Sequence, residues 1–201
     1  HTPTHLIYNG IDTDVFSKQT EVNWIKKKYG IPEHCAIVLG LASNWYRKGL
    51  PDFLQLASLL PPSIRIVLVG LSKSEQQLAA QAGIIAINRT DNIQELCALY
   101  SAANVYFNPT WEDTFPTTNL EAMACGTPVV TYKTGGSTEA ITFETGAIIE
   151  KGDIQTAAIE IGRLCQQAAS TFEDVCRQHI VRYFNKEERF LEYLNLYAQY
   201  L

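Results

Sequence analysis

Regular alternation of apolar strands with helices is the feature of this sequence that most limits its fold. Residues 36–42 are a continuous apolar run, as expected of a strand that is covered on both faces of a sheet, and residues 64–69, apolar except for Arg65, are the next buried strand. Each run is followed by a segment with helical spacing, at residues 50–59 and 74–82. Such alternation predicts an α/β domain, with a Rossmann-like parallel sheet flanked by helices on both faces.

The rest of the chain continues the same alternation. Shorter strands are predicted where apolar runs end at turn residues, at residues 6–9, 84–87, 105–108, 128–131 and 147–150. Further helices are predicted from spacing and caps, at residues 21–29, from a cap at Asp91 or Asn92 to 101, at 117–125, 153–168, about 170–182 and 186–200, with a helical turn at 138–141. Ligands of parallel sheets bind beyond the carboxyl ends of the strands, near a change in strand order. The loops after residues 42, 70, 87, 108 and 131 are therefore the candidates for a site.

Composition excludes several classes of protein. A chain of 201 residues with 46% hydrophobic residues is large enough for one domain, and we assign residues 1–201 to it. The net charge of −5 argues against a general nucleic-acid surface but permits a local cationic pocket for phosphate. Five cysteines without a CxxC pair indicate reduced thiols in a cytosolic protein. The histidines are scattered, so no metal is expected, and no apolar run reaches the ~20 residues that span a bilayer.

Segment 111–139 holds the strongest candidate site. Asp113 and Glu121 are separated by seven residues, and the predicted helix begins at Thr117, between them. The first turn of a helix carries unpaired backbone N–H groups and the positive end of the helix dipole. These features suit the binding of a phosphate or a sugar hydroxyl.

Side chains of the same segment also suit a sugar. Thr118 and Asn119 add short hydrogen-bonding groups beside Thr117. Glu121 lies one helical turn further along, where its carboxylate can accept two hydrogen bonds from a vicinal diol such as ribose. Asp113, before the helix, can do the same for a sugar. The alternative is that both acids only favour the N-terminus of the helix.

Three other loops are candidates. In residues 43–49, Lys48 can pair with a diphosphate as a point charge and Arg47 can do so bidentately, the alternative being a solvated pair of charges. In residues 87–91, the backbone can bind the edge of a nucleobase and Arg89 can stack on the base, the alternative being a plain turn. In residues 134–139, two glycines permit close approach of a ligand, and a structural turn is an equally good explanation.

Taken together, these segments resemble the C-terminal, nucleotide-sugar-binding domain of the retaining GT-B glycosyltransferases of family 4, also called group 1. The resemblance covers nearly the whole chain, beginning with Asn-Gly-Ile-Asp at residues 9–12. Its most specific motifs are Glu-Ala-Met-Ala-Cys-Gly-Thr-Pro-Val at 121–129 and Gly-Gly-Ser-Thr-Glu at 135–139. Lys48 and the following glycine match the Lys-Gly of the family, whereas the arginine that often precedes it is absent.

The family's acidic motif departs from its usual form in this chain. The motif is Glu, seven residues and Glu, and counting back from Glu121 reaches Asp113, with Glu112 immediately before it. Phe115 and Pro116 stand where Phe-Gly is common. Because Asp113 is one methylene shorter than glutamate, either the donor sugar lies closer to it or Glu112 takes its place.

The resemblance implies roles for particular residues. Catalytic roles fall to Asp113, Glu121 and Lys48, with Glu121 holding the ribose hydroxyls and Lys48 the diphosphate. Arg47 is a candidate replacement for the absent arginine. Donor binding is implied for residues of the strand-end loops: Arg47, Arg89, Thr90, Phe115, Pro116, Thr117, Thr118 and Glu121.

The resemblance also implies a function. We expect the donor-binding half of a retaining hexosyltransferase that moves a sugar from a UDP- or GDP-linked donor to an acceptor in polysaccharide or glycoconjugate synthesis, without a metal or other cofactor. Two alternatives stay open: a GT-B sugar-nucleotide epimerase, and a non-catalytic nucleotide-sugar-binding or scaffold module. The base, the sugar, the acceptor and the oligomeric state do not follow from the sequence.

The expected partners follow from the same resemblance. The chain begins His-Thr-Pro-Thr without an initiator Met, so we expect a piece of a larger protein whose N-terminal acceptor-binding domain is absent. The isolated piece is then expected to bind nucleotide with little or no transfer. The aromatic face of residues 170–200 is expected either to pack in the core or to contact the missing domain. No nucleic acid and no transmembrane segment are expected, and the expected location is cytoplasmic, including peripheral association with the inner face of the membrane.

Overall fold

The computed structural model of the chain describes residues 4–42, 45–168 and 170–200, and its centre is a six-stranded sheet. The strands are β1 (Ala36–Leu41), β2 (Ile64–Val69), β3 (Ile85–Ile87), β4 (Val105–Asn108), β5 (Val129–Tyr132) and β6 (Gly146–Ile149). All neighbouring strands pair in parallel, in the order β3-β2-β1-β4-β5-β6. The predicted α/β class with a parallel sheet is therefore confirmed.

Helices cover both faces of the sheet. They are α1 (Asn23–Lys28), α2 (Leu50–Leu59), α3 (Lys73–Gln81), α4 (Ile93–Ala102), α5 (Thr117–Ala124), α6 (Ile154–Cys165), α7 (Ser170–Tyr183) and α8 (Lys186–Ala198). On one face α6 crosses the sheet and packs against α2, and on the other α5 packs against α4 and α7. Across the described residues, no helix combines the length and the apolar composition needed to cross a bilayer.

Local sequence signals explain where the helices begin. Ser72 and Glu75 form a reciprocal capping box at the start of α3. The side chain of Asn92 accepts a hydrogen bond from the backbone N–H of Glu95, so Asn92 rather than Asp91 caps α4. Asp153 caps α6 through the N–H of Thr156. These caps confirm the predicted starts of the three helices to within one residue or so.

Strand burial follows from the apolar runs. In β1 and β2 the four central or final residues are buried, as expected of strands between two layers of helices. A row of aromatic side chains, Phe53, Phe107 and Tyr132, packs edge to face beside the central strands, with ring centroids 5.1 and 5.9 Å apart. This packing supports the loops that leave the carboxyl ends of β1, β4 and β5.

The change in strand order lies between β1 and β4. The chain progresses outward from β1 to β3 on one side and from β4 to β6 on the other, and β1 pairs with β4 at Val38 with Val105 and Leu39 with Tyr106. Open α/β sheets bind ligands outside the carboxyl ends of the strands at such a change in order, so the site is sought beside the loops after β1 and β4.

One local prediction is wrong and another is confirmed. Residues 6–9 form no strand, and the nearby Ile11 pairs instead with Asn185, between α7 and α8, as an isolated bridge. In this segment the ring of Tyr8 stacks on Phe115, and Leu6 is 74% exposed. The helical turn expected at 138–141 is present, because the N–H of Ile141 donates to the carbonyl of Thr138 over 3.0 Å, and a 3-10 turn at Gly135–Thr138 precedes it.

The C-terminal helices differ in their attachment. The guanidinium of Arg177 on α7 donates to the carbonyls of Thr13, Phe16 and Ala124, so α7 is tied both to the N-terminal segment and to α5. No residue of α8 is buried, and Phe190 and Tyr197 are among its exposed aromatic residues. Core packing therefore explains α7 and Phe184 but not the aromatic face of α8.

Candidate functional site

The loops after β1 and β4 are joined at the carboxyl edge of the sheet. The loop after β4, residues 109–116, is called the acidic loop here because it carries Glu112 and Asp113. The backbone N–H of Trp111 donates to the carbonyl of Arg47 over 2.9 Å. Gly49, with φ of 77°, lies so close to the acidic loop that a Cβ would come within 2.4 Å of the Pro109 carbonyl oxygen. The two loops therefore form one unit, although Ser43 and Asn44 lie outside the described residues.

Lys48 and Asp113 form an ion pair across this junction. The Nζ of Lys48 contacts the Oδ2 of Asp113, and the two side chains are only 14% and 13% exposed. Partial burial strengthens the attraction between the charges and makes each of them costly to leave alone. The structure thus brings together two of the three residues for which catalytic roles were predicted, whereas Glu112 is exposed and lies outside the pair.

A glycine turn at residues 134–139 supports the acidic loop from behind. Gly136 donates its N–H to the carbonyl of Asp113 over 3.2 Å. A Cβ on Gly135 would lie 2.0 Å from that carbonyl oxygen, and one on Gly136 would lie 1.9 Å from the carbonyl oxygen of Thr114. The expected close approach at these glycines therefore exists, but the partner is the backbone of the acidic loop, because the two segments leave neighbouring strands.

The N-terminus of α5 presents polar groups without partners. Pro116 is the N-cap and supplies no side-chain hydrogen bond. Within the described chain, the backbone N–H groups of Thr117 and Thr118 have no acceptor. The Oγ1 of Thr118 is buried and forms no well-aligned hydrogen bond, although the Tyr106 hydroxyl is close. Burying a hydroxyl without a partner costs free energy, so these groups are suited to an incoming acceptor atom.

Asn119 does not join them. Its side chain is buried, accepts from the Nδ2 of Asn108 over 2.8 Å and donates to the carbonyl of Ser137 over 3.1 Å. The interpretation of Asn119 as a ligand-binding side chain is wrong, because these bonds attach α5 to β4 and to the glycine turn. The same bonds fix the direction in which the helix N-terminus points.

Glu121 lies one helical turn beyond Thr118, in a largely buried position. The hydroxyl of Tyr100 on α4 donates to its Oε2 over 3.0 Å. Burial raises the pKa of the Glu121 carboxyl, and hydrogen bonds from the side chains of Tyr100 and Thr117 oppose that rise. The pKa of Tyr100 is raised well above its usual value by complete burial, and next by the negative charge of Glu121. Tyr100 and Thr117 therefore hold the carboxylate in place at the start of α5.

A cleft of about 450 Å³, here called the strand-end cleft, opens beside these groups. Its walls come from the ends of β1 and β2, the loop after β3 and the start of α5: Leu41, Ala42, Lys48, Val69, Gly70, Asn88, Arg89, Thr90 and Thr118. Four of the predicted site residues therefore meet in one cleft: Lys48, Arg89, Thr90 and Thr118. Asp113 adjoins it through its ion pair with Lys48.

The side chain of Phe115 packs against other aromatic rings. Its ring stacks on Tyr8 with centroids 5.2 Å apart and lies 5.9 Å from the ring of Phe184. Only the backbone of residues 115 and 116 is therefore left for a ligand, which agrees with the backbone role implied for this turn. Glu139 lies outside the strand-end cleft and lines a different one together with Tyr8. A hydrogen bond with Glu139 raises the pKa of Tyr8.

A buried carboxylate that the sequence did not single out connects the site to the sheet. Asp52, in the first turn of α2, accepts from the Nε1 of Trp111 over 2.8 Å and from the hydroxyl of Tyr132 over 2.7 Å. It is 6% exposed. An acidic residue in a first helical turn is ordinary, so no local signal distinguishes it. In the described part of the chain, no group of three or more His, Cys, Asp or Glu side chains is placed to hold a metal ion.

Comparisons with known proteins identify the family. Residues 35–167 match the family described as Glycosyl transferases group 1. A D-inositol 3-phosphate glycosyltransferase of Stackebrandtia nassauensis is 32% identical over 150 residues, which are 65% of this chain and 33% of that protein. The chain thus spans about a third of the length of this curated relative.

Solved structures share the fold. Sucrose-phosphate synthase from Thermosynechococcus elongatus superposes with a TM-score of 0.83 at 25% identity, over 97% of this chain and 52% of that one. Anabaena HepE in complex with UDP and glucose does so with a TM-score of 0.83 at 18% identity, over 96% of this chain and 56% of that one. Because the family match runs from the residue before β1 to the end of α6, this chain belongs to the group 1 glycosyltransferases, and its parallel sheet is that of the GT-B fold.

Proposed function

We propose that this chain is the C-terminal, donor-binding domain of a retaining family 4 glycosyltransferase that uses a nucleotide diphospho-sugar. The observation that carries the proposal is the meeting of Lys48, the unpartnered Thr118 hydroxyl and the free N–H groups of α5 at one cleft. The cleft lies at the change in strand order, where a nucleotide fits. The structure of Anabaena HepE with UDP and glucose supports a uridine nucleotide as the first ligand to test.

The diphosphate is assigned to Lys48 and the start of α5. A diphosphate accepts hydrogen bonds, and the N–H groups of Thr117 and Thr118 together with the Thr118 hydroxyl supply the donors that lack acceptors. Lys48 supplies the positive charge, and Asp113 forms an ion pair with it. Arg47 is a second cation on the same loop, and we assign it to the rim of the site.

The remaining parts of the donor are assigned by position. Glu121, which is held by Tyr100 and Thr117, is assigned to the ribose hydroxyls, because each carboxylate oxygen can accept more than one hydrogen bond. Arg89 and Thr90 line the far end of the strand-end cleft, where the base would lie. Asp113 is then nearest to the donor sugar, and its pairing with Lys48 favours Asp113 over the exposed Glu112 for that role.

These groups suit the electrostatic task of the transfer. When the bond between the anomeric carbon and the diphosphate breaks, negative charge grows on the leaving phosphate oxygen while the acceptor oxygen forms the new bond. Lys48 and the positive end of α5 lie where they stabilise that charge without a metal ion. Retention of the anomeric configuration is proposed from the resemblance to family 4.

The main acceptor-binding surface is assigned to a part of the protein outside this chain. The matched relative extends well beyond the region that this chain covers, so an acceptor-binding domain outside the chain is part of the proposal. The exposed aromatic face of α8 suits a contact with that domain. We place the enzyme in the cytoplasm, in the synthesis of a polysaccharide or glycoconjugate at the inner face of the membrane.

Titration calorimetry with UDP, GDP and their sugars tests the proposal. Lys48→Ala should weaken binding of the preferred nucleotide diphosphate by about 1.5–3 kcal/mol, which is about 10- to 150-fold, because it removes a charge-assisted hydrogen bond. Lys27→Ala on α1 is the matched control, because it removes the same charge from an exposed position outside the cleft.

Two results would contradict the proposal. If no nucleotide diphosphate or its sugar bound the chain, a donor site would be excluded and a scaffold role favoured. If a nucleotide bound but Lys48→Ala and Lys27→Ala had the same affinity, the diphosphate would lie away from Lys48.

A further inference from the structure

A second cleft, of about 570 Å³, lies on the other side of the acidic loop and shares no lining residue with the strand-end cleft. We call it the Trp111 cleft, and its lining side chains are Tyr46, Arg47, Pro51, Asp52, Trp111, Glu112 and Lys151. Neither the family motifs nor the proposed donor contacts require an aromatic cleft at this position. Its size suits one or two sugar rings.

The Trp111 ring is a fixed surface. Its Nε1 donates to the buried carboxylate of Asp52, and its backbone N–H donates to the carbonyl of Arg47. Both polar groups of the residue are therefore used inside the protein, yet the residue is 45% exposed. What remains for a ligand is the apolar face of the indole, held in one orientation.

The other groups of the cleft add an exposed aromatic ring and polar atoms. Tyr46 is 92% exposed, an unusual degree for a tyrosine that lines a cleft. The ammonium of Lys151 lies 4.7 Å from the centroid of the Trp111 ring, and the Glu112 side chain is exposed beside it. Hydrogen-bond donors and acceptors thus surround an aromatic face.

This combination has the chemistry of a saccharide site. The C–H face of a pyranose ring packs on an aromatic ring, while its hydroxyls both donate and accept hydrogen bonds. Arg47 and Lys151 balance Asp52 and Glu112 in charge, so the cleft does not select an ion of one sign. A simple anion or an acidic peptide would meet as many negative as positive side chains.

The position of the cleft indicates which saccharide it would bind. Arg47 and Glu112 each precede by one residue a member of the Lys48–Asp113 pair, so the cleft adjoins the place proposed for the donor sugar. We infer that the Trp111 cleft binds a pyranose ring of the acceptor and helps to select it. This assignment rests on the proposed function, since an acceptor exists only if the chain serves a transferase.

Saturation-transfer NMR with the 201-residue chain and saturating UDP tests the inference. The probes are the methyl glycosides of glucose, galactose, mannose and N-acetylglucosamine at millimolar concentration. At least one should receive saturation from Trp111, and Tyr46→Ala should weaken its binding about threefold to tenfold. Tyr46→Phe should bind as the original chain does, because it keeps the ring. The affinity for UDP should stay within about twofold in both variants, since Tyr46 lies outside the strand-end cleft.

Trp111→Phe gives a second check that separates the ring from its hydrogen bond. The variant keeps an aromatic face but leaves Asp52 with one donor, so sugar binding should survive better in it than in Trp111→Leu. Melting of each variant shows whether it is folded at the temperature of the binding experiment.

Three outcomes would overturn the inference. In the first, no glycoside of the panel receives saturation that depends on Tyr46 or Trp111. In the second, UDP-glucose displaces the bound glycoside while UDP does not, which places the donor sugar in the cleft. In the third, the chain binds no nucleotide, which overturns the proposed function and with it the acceptor assignment, while sugar contact at Trp111 is measured separately.

Discussion

The ion pair between Lys48 and Asp113 permits a quantitative test of the site geometry. Both side chains are largely buried, with 14% and 13% of their surface exposed. At an effective dielectric constant of 20, two charges about 4 Å apart attract by ~4 kcal/mol, and desolvation of the two groups offsets part of that attraction. Exposed pairs contribute ~0.2–1 kcal/mol, and breaking a buried pair costs ~3–5 kcal/mol. The partial burial places Lys48→Met between these limits.

We therefore expect Lys48→Met to lower the free energy of unfolding by about 1.5–3 kcal/mol, because it leaves Asp113 charged and without its partner. For a domain of this size the melting temperature should fall by roughly 3–12 °C. The double variant Lys48→Met/Asp113→Asn should recover part of the loss, with a coupling free energy of about 1–2 kcal/mol in a double-mutant cycle. Urea unfolding followed by circular dichroism gives each value.

The exposed pair of Lys133 and Glu150 is the matched control. Its side chains are 64% and 74% exposed and its atoms are 3.0 Å apart, so the same cycle should give a coupling of only about 0–0.5 kcal/mol. Equal coupling in the two cycles would refute the argument that burial makes the Lys48 pair stronger. A coupling below ~0.3 kcal/mol for Lys48 and Asp113 would show that the pair does not form in solution.

Two further predictions concern the carboxylate and the glycine turn. Glu121→Gln should weaken UDP binding about 10- to 150-fold by removing a charge-assisted hydrogen bond. Glu121→Gln should also raise the melting temperature at pH 7, because a carboxyl whose pKa is raised by burial destabilises the fold once it ionises. This gain in melting temperature should vanish as the pH falls below the usual carboxyl range. In the unaltered chain, the affinity for UDP should fall as Glu121 becomes protonated. An unchanged melting temperature at pH 7 would argue against this burial. Gly135→Ala should lower stability by about 1–3 kcal/mol in urea unfolding, because φ is 45° and the Cβ would lie 2.0 Å from a carbonyl oxygen of the acidic loop. Gly162→Ala, in α6 with open space around its Cβ, should instead stabilise by about 0.5–1 kcal/mol, and similar effects of the two changes would contradict the argument from close approach.

Sequence periodicity was sufficient for the elements that are buried on both sides. The runs at β1 and β2 are apolar at nearly every position, and only a strand between two helical layers requires that. The N-cap at Asn92 could likewise be read locally, because its partner lies three residues away. Residues 6–9 have the same apolar character, yet whether they join a sheet depends on a free neighbouring strand, which no local pattern specifies.

The roles predicted for the site residues stay predictions, but the structure brings several of these residues close together. Lys48, Thr118 and the acids at 113 and 121 were chosen from spacing and motif, and Lys48 contacts Asp113. Asn119 was misassigned because a short amide at the start of a helix suits a ligand and a neighbouring strand equally well. Its contacts with Asn108 and Ser137 depend on how β4 and β5 lie side by side.

Long-range contacts are what the sequence concealed. Asp52 and Trp111 are 59 residues apart, and they meet because β1 and β4 are neighbours in the sheet although β2 and β3 lie between them along the chain. The same applies to the glycine turn, for which a ligand contact and a structural turn were equally good explanations from the sequence, and which faces the acidic loop. In both cases the partner is set by topology, so residue type alone did not reveal it.

The mutual neutralisation of Lys48 and Asp113 has a consequence for how fast an anion reaches the cleft. Long-range attraction of a charged ligand requires an excess of the opposite sign, and here the chain carries a net charge of −5 while the pair itself is neutral. A nucleotide diphosphate therefore arrives with little electrostatic steering, and its association rate should depend only weakly on ionic strength. Discrimination between anions then depends on how fast each one dissociates. A ligand that is long enough to reach both Lys48 and the start of α5 stays bound, whereas a lone phosphate leaves.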